Sequence, residues 1–473
     1  MRRLLPTLAL FCLAGCILGG PSQRDRQSDH TGQHDCEYRQ SERADLKTIT
    51  RSGADAPWHV SDTVRVRAGE RLVIEPGVDV VFDADVPVIV EGVLDAVGTA
   101  TDSIRFLRGA ATEWGGLRFE GDTSSLSFVR ISGANAHEGH PCIIPLARGS
   151  EACSETGNYR GGAIGAYGVG TALVLSHVVL SGNRAASGGG LAVHSGPRVC
   201  LTDCAITGNV AWYAGGVSIG GTVMVSMTGC TVSRNRAGGV GGGITIDGPT
   251  VEPWKLHMRD CVMAQNESGS SGGAIMGQNM LLEDCTIENN MSNGGCGGTI
   301  CASGDVVMDR CVVRDNRGGI TFTYATGHLT DCLISGNWDM GGVEVGSSVI
   351  EMANCTVTGN SASSRSPGFE FGGIYVGGGG STWADLYLRN SIVWGNKDRD
   401  LLVWEQLSRA DVAYSDIGTT WPGSGNISAD PFFRDPARGD YRLRRGSPAA
   451  DAGDPHSAKD PDGTQADMGA RLP

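Results

Sequence analysis

A five-residue step from cysteine to asparagine recurs along the chain and constrains its fold more than any other feature. In residues 282–300, LEDCTIENNMSNGGCGGTI, the step joins Cys285 to Asn290 and a Gly-Gly pair follows. The step begins at seven cysteines and ends at seven asparagines: Cys204, Cys230, Cys261, Cys285, Cys311, Cys332 and Cys355, with Asn209, Asn235, Asn266, Asn290, Asn316, Asn337 and Asn360. Two outer copies keep the spacing but start with Val178 and Ser391, before Asn183 and Asn396.

Gly-Gly pairs alternate with these steps, so the two signals mark one repeat of roughly 25 residues. Nine pairs are present, beginning at Gly161, Gly189, Gly215, Gly242, Gly272, Gly297, Gly318, Gly341 and Gly372. Apolar and polar residues alternate after them, as in GGVSIGG and GGITIDG, which indicates short strands separated by Gly, Asn and Asp turns. Short strands at this period, stacked on one another, predict an all-β parallel β-helix.

The repeat also sets the size of the solenoid. At this period, residues 58–400 give roughly 13–14 coils, with successive strands about 4.8 Å apart. Glycine makes up 72 of the 473 residues, which fits a chain that turns sharply several times per coil. We predict a β-helix over residues 58–425 and a C-terminal cap over residues 426–473.

The repeated asparagines and cysteines are predicted to be structural. An inward asparagine can bond to the coils on either side and form a ladder; the alternative is a surface asparagine in a left-handed turn. The first position accepts Cys or Val, which indicates a small, buried, apolar slot. In-register parallel strands hold Cβ atoms beyond the usual disulfide separation. The seven cysteines are therefore expected to be reduced and inert.

The first residues are typical of an export signal. Arg2 and Arg3 precede an apolar run, residues 4–13, that is too short to span a bilayer. The run ends in LAGC, which resembles a bacterial lipobox. This resemblance implies that residues 1–16 are a lipoprotein signal peptide and that Cys16 is acylated; an ordinary cleaved signal is the alternative. Ile17 in place of Asp implies, by the same resemblance, an outer-membrane lipoprotein.

Residues 17–57 are polar and charged, and we predict that they form a flexible tether. The whole chain has a net charge of −14 and no basic run after the signal. This charge disfavours nucleic acid as a partner. The expected location is the cell envelope, with the periplasmic and external faces both open.

Six cysteines lie outside both the signal and the repeated column. Cys142 and Cys153 are the best disulfide candidate, because they close the loop CIIPLARGSEAC in an exported protein. A metal held by His137, His140 and Cys142 is the alternative. No CxxC motif is present, and KDPDGTQAD lacks the EF-hand frame. The sequence therefore predicts no metal or cofactor.

Three regions carry a family resemblance. Residues 58–135, with LVIEPGVDVVFDADVPVIVEGVLDAVGT and EWGGLRFEG, resemble the opening coils of bacterial right-handed parallel β-helix proteins. The central repeats resemble those of polymorphic outer-membrane proteins, and the tail from ADPFFRDPARGDYRL onward resembles the end of choice-of-anchor surface proteins. The resemblance implies a right-handed helix, attachment to the envelope and a tail that caps the open end.

The fold class also contains pectate lyases and related enzymes, which need clustered carboxylates. Asp203, Asp260, Asp284 and Asp331 each precede a ladder cysteine, but other coils carry Gly, Arg or Asn there. We interpret this column as a turn position and find no neighbouring Asp pair. The sequence favours a non-enzymatic rod for adhesion or for glycan or protein binding, and a polysaccharide-active enzyme is the alternative.

The Cys-to-Asn step is constant, whereas the connections between repeats vary in length, as recognition loops do. The long connections are residues 246–258, 361–371 and 377–387, and each carries an aromatic residue: Trp254, Phe369 and Trp383. These side chains are candidates for contact with a polysaccharide or a surface protein. The favoured interpretation is that they cover seams between loops and body.

Overall fold

The structure is a computed structural model that describes residues 46–136, 160–248, 254–294, 297–362, 371–377, 382–404 and 407–471. Cys16, Cys142, Cys153 and Phe369 lie outside the described residues, as does most of the predicted tether. Within the described ranges there is no helix long and apolar enough to cross a membrane.

The described chain folds as a right-handed parallel β-helix with three faces, which confirms the predicted fold class. The wide face has 24 described strands: Lys47–Arg51, Val64–Val66, Glu70–Ile74, Val88–Val90, Val93–Val97, Leu117–Phe119, Ser124–Ser127, Ile164–Tyr167, Ala172–Ser176, Leu191–His194, Arg198–Thr202, Val217–Gly220, Met224–Thr228, Ile244–Asp247, Leu256–Arg259, Ile275–Glu283, Ile300–Asp309, Ile320–Thr330, Val343–Gly346, Val349–Ala353, Ile374–Val376, Ala384–Arg389, Leu401–Val403 and Ser408–Ala413.

The two other faces carry shorter strands. The middle face has 14 described strands, one per coil: Trp58–Val60, Asp79–Phe82, Ile104–Arg108, Val129–Ser132, Val179–Ser181, Ala205–Thr207, Thr231–Ser233, Val262–Ala264, Thr286–Glu288, Val312–Arg314, Leu333–Ser335, Thr356–Thr358, Ile392–Trp394 and Asp416–Ile417. The short face has six: Asn135–Ala136, Arg184–Ser187, Val210–Tyr213, Arg236–Ala237, Glu267–Ser268 and Met291–Ser292. Short 3-10 turns occur at Gly53–Asp55 and Pro436–Arg438.

In-register pairing stacks equivalent apolar residues into columns that fill the helix. On the middle face Ile206 pairs with Val232, Val232 with Met263 and Met263 with Ile287, and all four side chains are buried. Each of these three-residue strands therefore contributes one inward residue to a continuous core, worth about 1.5–3 kcal/mol for a fully buried aliphatic side chain. The period-two alternation seen in the sequence is the direct cause of this arrangement.

Two left-handed residues per coil turn the chain at the ends of the middle strand. The residue before each ladder cysteine has positive φ, for example 51° at Asp203, 52° at Asp284 and 51° at Arg310. The residue before each ladder asparagine does too, with 65° at Gly208 and 55° at Asn289. Asp, Asn and Gly tolerate this conformation best. The acidic column before the cysteines is thus a turn position.

The stack begins earlier than the boundary placed at residue 58. Lys47–Arg51 is a strand of the wide face and pairs in parallel with Glu70–Ile74. These residues therefore do not belong to a flexible tether. Four of the five are exposed, so the strand carries no apolar pattern that would distinguish it from its polar neighbours.

The C-terminal tail contacts more of the β-helix than its last coil. Ile427 continues the stack by bridging to Asp416, but the rest of the tail runs back along the outer side of the middle face. Its hairpin, Phe433–Asp435 with Asp440–Leu443, and its last residues pack against Ile392. The Gly469 amide donates to the Asn390 carbonyl at 2.7 Å. The tail thus covers the outer side of the last coils.

Candidate functional site

The ladder asparagines form a continuous hydrogen-bonded column inside the helix. The Oδ1 atom of Asn290 accepts bonds from both the backbone N–H and Nδ2 of Asn266, each at 2.9 Å. Its own Nδ2 donates to the Met263 carbonyl at 2.9 Å and to Asn316 Oδ1 at 3.0 Å. The same pattern repeats from Asn183 to Asn360, and these eight residues are at most 1% exposed. The column has no capacity left for a ligand.

At the two ends of the asparagine column, a backbone amide and a carboxylate take the place of the missing asparagine. At its first end, the Ala134 amide donates to Asn183 Oδ1 at 3.0 Å. At its last end, Asn396 donates through its backbone N–H and Nδ2 to Asp400 Oδ1, at 2.9 and 2.8 Å. Burial raises the pKa of Asp400 above its ordinary value. The carboxyl therefore replaces an asparagine oxygen where the repeat stops.

The seven ladder cysteines are buried and unpaired, but their slot is not simply apolar. The Cys204 amide donates to Cys230 Sγ at 3.4 Å, and that thiol donates to the Thr228 carbonyl at 3.4 Å. Ser391 takes the same role, since its Oγ accepts from the Cys355 amide at 3.0 Å. The slot is therefore a hydrogen-bonding column, and the interpretation as an apolar slot is incomplete. Burial raises the pKa of the Cys332 thiol well above its ordinary value.

We expect iodoacetamide to leave all seven ladder thiols unmodified in the native protein at pH 8 and to modify all seven in guanidinium. The reason is that all seven cysteines are at most 3% exposed, so the reagent cannot reach their sulfur atoms. Peptide mass spectrometry measures both states. As a control, Cys311→Ser should change the free energy of unfolding by no more than about 1 kcal/mol, because a hydroxyl preserves both bonds. Labelling of the native column would mean that these strands do not stack as described.

The two described cysteines outside the column behave differently. Cys200 and Cys301 are both disulfide-bonded. They lie on strands of the wide face that four coils separate, so they are not bonded to one another. The predicted pair Cys142 and Cys153 falls outside the described residues and stays a prediction.

The predicted loop aromatics have different environments. Trp254 is half-buried, next to Lys255, whose ammonium group is buried and donates to the backbone carbonyls of Asp247 and Gly248. Trp254 therefore lies at a seam between loop and body. Trp383, by contrast, is 55% exposed.

Trp383 is one of four exposed apolar side chains on neighbouring coils, here called the aromatic corner. Its members are Tyr324, Trp383, Trp404 and Leu407, with exposed fractions of 70%, 55%, 44% and 47%. All four lie where the wide face bends. The in-register pairs Phe322–Val345, Val345–Val376 and Val376–Val403 place them on nearby coils. With coils about 4.8 Å apart, the corner extends over roughly 15 Å. Contiguous exposed apolar patches are typical of binding surfaces.

Fixed polar groups border the aromatic corner on the wide face. Arg409 Nε donates to Asp385 Oδ1 at 2.8 Å, and the guanidinium carbon lies 5.5 Å from the centroid of the Tyr387 ring. The Asp385 carboxylate raises the pKa of Arg409. On the preceding coils, His328 Nδ1 lies 3.1 Å from Glu351 Oε2. The surface thus combines aromatic rings with hydrogen-bonding groups held in place by their neighbours.

A second outer surface, here called the charged cluster, lies at the edge of the wide face. It consists of His257, Arg259, Glu283, Asp284, Asp309 and Arg310. Glu283 Oε2 is 2.6 Å from His257 Nε2 and accepts a bond from Arg259 Nη2 at 2.8 Å. Arg310 binds Asp284 through two nitrogens, at 2.7 and 2.8 Å, and also contacts Asp309.

The carboxyl groups of the charged cluster are not equivalent. Burial raises the pKa of Asp309 above its ordinary value, and the nearby carboxylates of Asp284 and Glu283 add to this effect. The hydrogen bonds from Arg310 lower the pKa of Asp284. Opposite shifts in neighbouring carboxyls are what acid–base chemistry requires. Structural ion-pair networks produce them as well.

The charged cluster contains two acidic residues on adjacent coils. Glu283 and Asp309 are in-register partners on adjacent coils of the wide face. They are 26 residues apart, and both stand two positions before a ladder cysteine. Alignment of that position across the repeats would have revealed the pair. Across the described ranges, no three His, Cys, Asp or Glu side chains are arranged to hold a metal.

A buried histidine on the wide face has the partners of a polar core residue. His194 Nδ1 lies 2.8 Å from Arg160 Nη1, and its Nε2 lies 3.0 Å from Ser218 Oγ. Because arginine only donates, Nδ1 accepts and Nε2 carries the proton. Burial, with a contribution from Arg160, lowers the pKa of His194 to about 4. The neutral ring therefore donates to Ser218 and cannot take a proton from it.

A match to a family model supports the fold. A family model described as a right handed beta helix region matches residues 162–357 and 215–393. A solved structure described as the crystal structure of pectate lyase Pel9A is similar to this chain, with 11% sequence identity and a TM-score of 0.35. The similarity covers 85% of this chain and 88% of that one. No curated protein is significantly similar.

Proposed function

We propose that the protein is a lipid-anchored rod of the bacterial cell envelope that binds a polysaccharide at the aromatic corner. The observation that carries this proposal is the grouping of Tyr324, Trp383 and Trp404, all exposed, on one bend of a rigid stack. The LAGC sequence at Cys16 supports the anchor, because several acyl chains hold a protein firmly at a membrane.

Sugar rings suit this surface better than a purely apolar partner. One side of a pyranose ring presents C–H groups, which pack on aromatic faces, while its hydroxyls need hydrogen-bond partners. Asp385 and Arg409 provide an acceptor and a donor beside Trp383, and their own ion pair fixes their positions. Side chains held in place by a rigid scaffold lose little entropy on binding. The corner can therefore bind a chain of sugars along several coils.

Substitution of the aromatic corner tests this function. We expect Trp383→Ala and Trp404→Ala each to weaken binding of the polysaccharide roughly tenfold, and the double variant roughly 100-fold, since each ring contributes about 1–1.5 kcal/mol. A glycan array on residues 46–473 identifies the ligand, and isothermal titration calorimetry measures affinity.

The matched control for these variants is Trp338→Ala. Trp338 is 45% exposed but lies away from the corner, where Arg317 stacks on it at 5.4 Å. Its removal should leave the affinity unchanged. An equal loss in Trp338→Ala, or unchanged affinity in the double variant, would contradict binding at the corner.

The charged cluster favours a second candidate function, cleavage of an acidic polysaccharide. In this alternative, Asp309 holds the proton that a general acid needs, and Glu283 or Asp284 acts as the charged partner. The guanidinium groups of Arg259 and Arg310 are suited to the carboxylate of a uronic acid. Both arginines are ion-paired within the cluster, so a substrate would have to compete with these pairs.

A turnover assay decides between the two functions. The protein is incubated with polygalacturonate and alginate, with and without calcium, and reducing ends and unsaturated products are measured. If the cluster is catalytic, Asp309→Asn should reduce the rate by roughly 10²–10⁴-fold. Asp305→Asn, an exposed acid on the same strand, should leave it unchanged. Binding without turnover on any substrate supports the non-enzymatic rod.

A further inference from the structure

The C-terminal tail and the middle face enclose a cavity of about 390 Å³. Its floor is formed by Thr356 and Ile392, the outward residues of two adjacent coils. Tyr441 and Leu443 of the tail hairpin form one side, and Met468 lies on the other. A volume of this size is in the usual range for small-ligand sites, roughly 300–1,000 Å³.

The walls of the cavity are fixed by specific contacts. The Tyr441 and Phe433 rings pack edge to face, with centroids 5.4 Å apart. On the opposite side, the Ala470 amide donates to Thr356 Oγ1 at 2.9 Å. The Asp467 amide donates to Asp460 Oδ2 at 2.7 Å. The cavity is therefore built by hydrogen bonds and ring packing that do not depend on a ligand.

Charges of both signs line the cavity in equal number. The basic residues are Arg434, Arg442 and Arg471, and the acidic residues are Asp460, Asp462 and Asp467. Arg471 Nη2 lies 3.2 Å from Asp460 Oδ1, and Arg442 pairs with Asp440 at 2.8 Å. An ionic ligand would gain little from this balance, because attraction to one set of charges is offset by repulsion from the other.

We propose that this cavity binds one neutral sugar residue. The apolar side of the ring would pack on Tyr441 and Leu443, which line the cavity and are only partly buried. Its hydroxyls would donate to the Asp462 carboxylate and accept from the guanidinium group of Arg434. Arg434 Nε donates to the Leu443 carbonyl at 3.3 Å, and a guanidinium group has four further N–H donors. The cavity lies on the middle face and the aromatic corner on the wide face, so the two sites are independent.

A calcium site at the same carboxylates is a weaker explanation. Asp462 Oδ1 accepts from the backbone N–H of Thr464 at 3.0 Å and from its hydroxyl at 2.6 Å. Asp467 Oδ1 accepts from the Asp451 amide at 2.7 Å. These oxygens serve the turns of the tail, and calcium needs six or more oxygen ligands.

Direct binding to the wild-type protein is the first test. The full chain is titrated with glucose, galactose, mannose and N-acetylglucosamine, then with galacturonate and with calcium chloride alone. Saturation-transfer NMR and calorimetry measure binding. We expect at least one neutral sugar to bind and galacturonate to bind more weakly. Two results would overturn the proposal. One is that no neutral sugar binds at 10 mM, a concentration on the order of ten times the Kd of a weak site. The other is that calcium binds and no sugar does.

Two variants then place the bound sugar in the cavity. Arg434→Gln and Asp462→Asn should each weaken binding at least tenfold, because each removes a charged hydrogen-bond partner. Arg438→Gln is the control, since Arg438 is on the same tail, highly exposed and outside the cavity. Trp383→Ala should also leave this affinity unchanged. If instead Trp383→Ala removes the binding and Arg434→Gln does not, the sugar is bound at the aromatic corner and the cavity proposal is wrong.

Discussion

Replacing Asn290 with alanine is expected to lower the free energy of unfolding by about 3–5 kcal/mol. Its Oδ1 accepts two bonds from Asn266 and its Nδ2 donates to Met263 and Asn316. Alanine would leave several of these groups buried without partners, and each such group costs about 1–3 kcal/mol. The total cost is smaller than the sum of these values, because neighbouring groups shift and water can enter the space that the side chain leaves.

Urea denaturation measures this loss, and hydrogen exchange localises it. Solenoids can unfold in parts, so exchange of the Asn266 amide, which donates directly to Asn290, is the sharper measurement. Asn293→Ala is the control, because Asn293 is exposed on the same coil and bonds outside the column. Similar losses in both variants would show that the column contributes no more than a surface asparagine.

The fold was predictable because each coil repeats one solution to the same packing problem. Cys285, Ile287 and Asn290 have fixed spacing, and their equivalents in other coils face inward for the same reasons. The nature of the cysteine slot was only partly predictable. Val178 suggested an apolar position, whereas Ser391 in the same register carried the hydrogen-bonding signal.

Features that depend on contacts between distant segments were not predictable. The packing of Met468 on Ile392 joins residues with no shared repeat position. The Glu283–Asp309 pair is different, because both residues occupy one repeat position and an alignment of the repeats would have revealed them. Trp383 is the one member of the aromatic corner that the sequence placed in a long connection between repeats, residues 377–387. Tyr324 lies within a continuous strand of the wide face, where nothing in its neighbours marks it as exposed.

A single methyl group in a Gly-Gly pair should be as damaging as the loss of a ladder asparagine. In Gly242→Ala, the new Cβ would lie 2.3 Å from the Gly273 carbonyl oxygen and 2.6 Å from the Glu267 carbonyl carbon. Both atoms are backbone of the next coil, so no side chain can rotate away. We expect the free energy of unfolding to fall by about 3 kcal/mol or more, in the upper range for overpacking. Urea midpoints measure the change.

Gly208→Ala separates this crowding from the ordinary preference of glycine for turns. Gly208 has a φ of 65° and no heavy atom within 4 Å of its added Cβ, so only backbone strain of about 1–2 kcal/mol opposes the substitution. Arg234 and Asn289 occupy the same turn position in other coils, with φ values of 54° and 55°, which shows that a side chain fits there. The repeat therefore requires glycine for two different reasons: conformation at Gly208 and coil-to-coil distance at Gly242. If Gly208→Ala and Gly242→Ala destabilise the protein equally, the close approach of the coils is not the reason that the Gly-Gly positions require glycine.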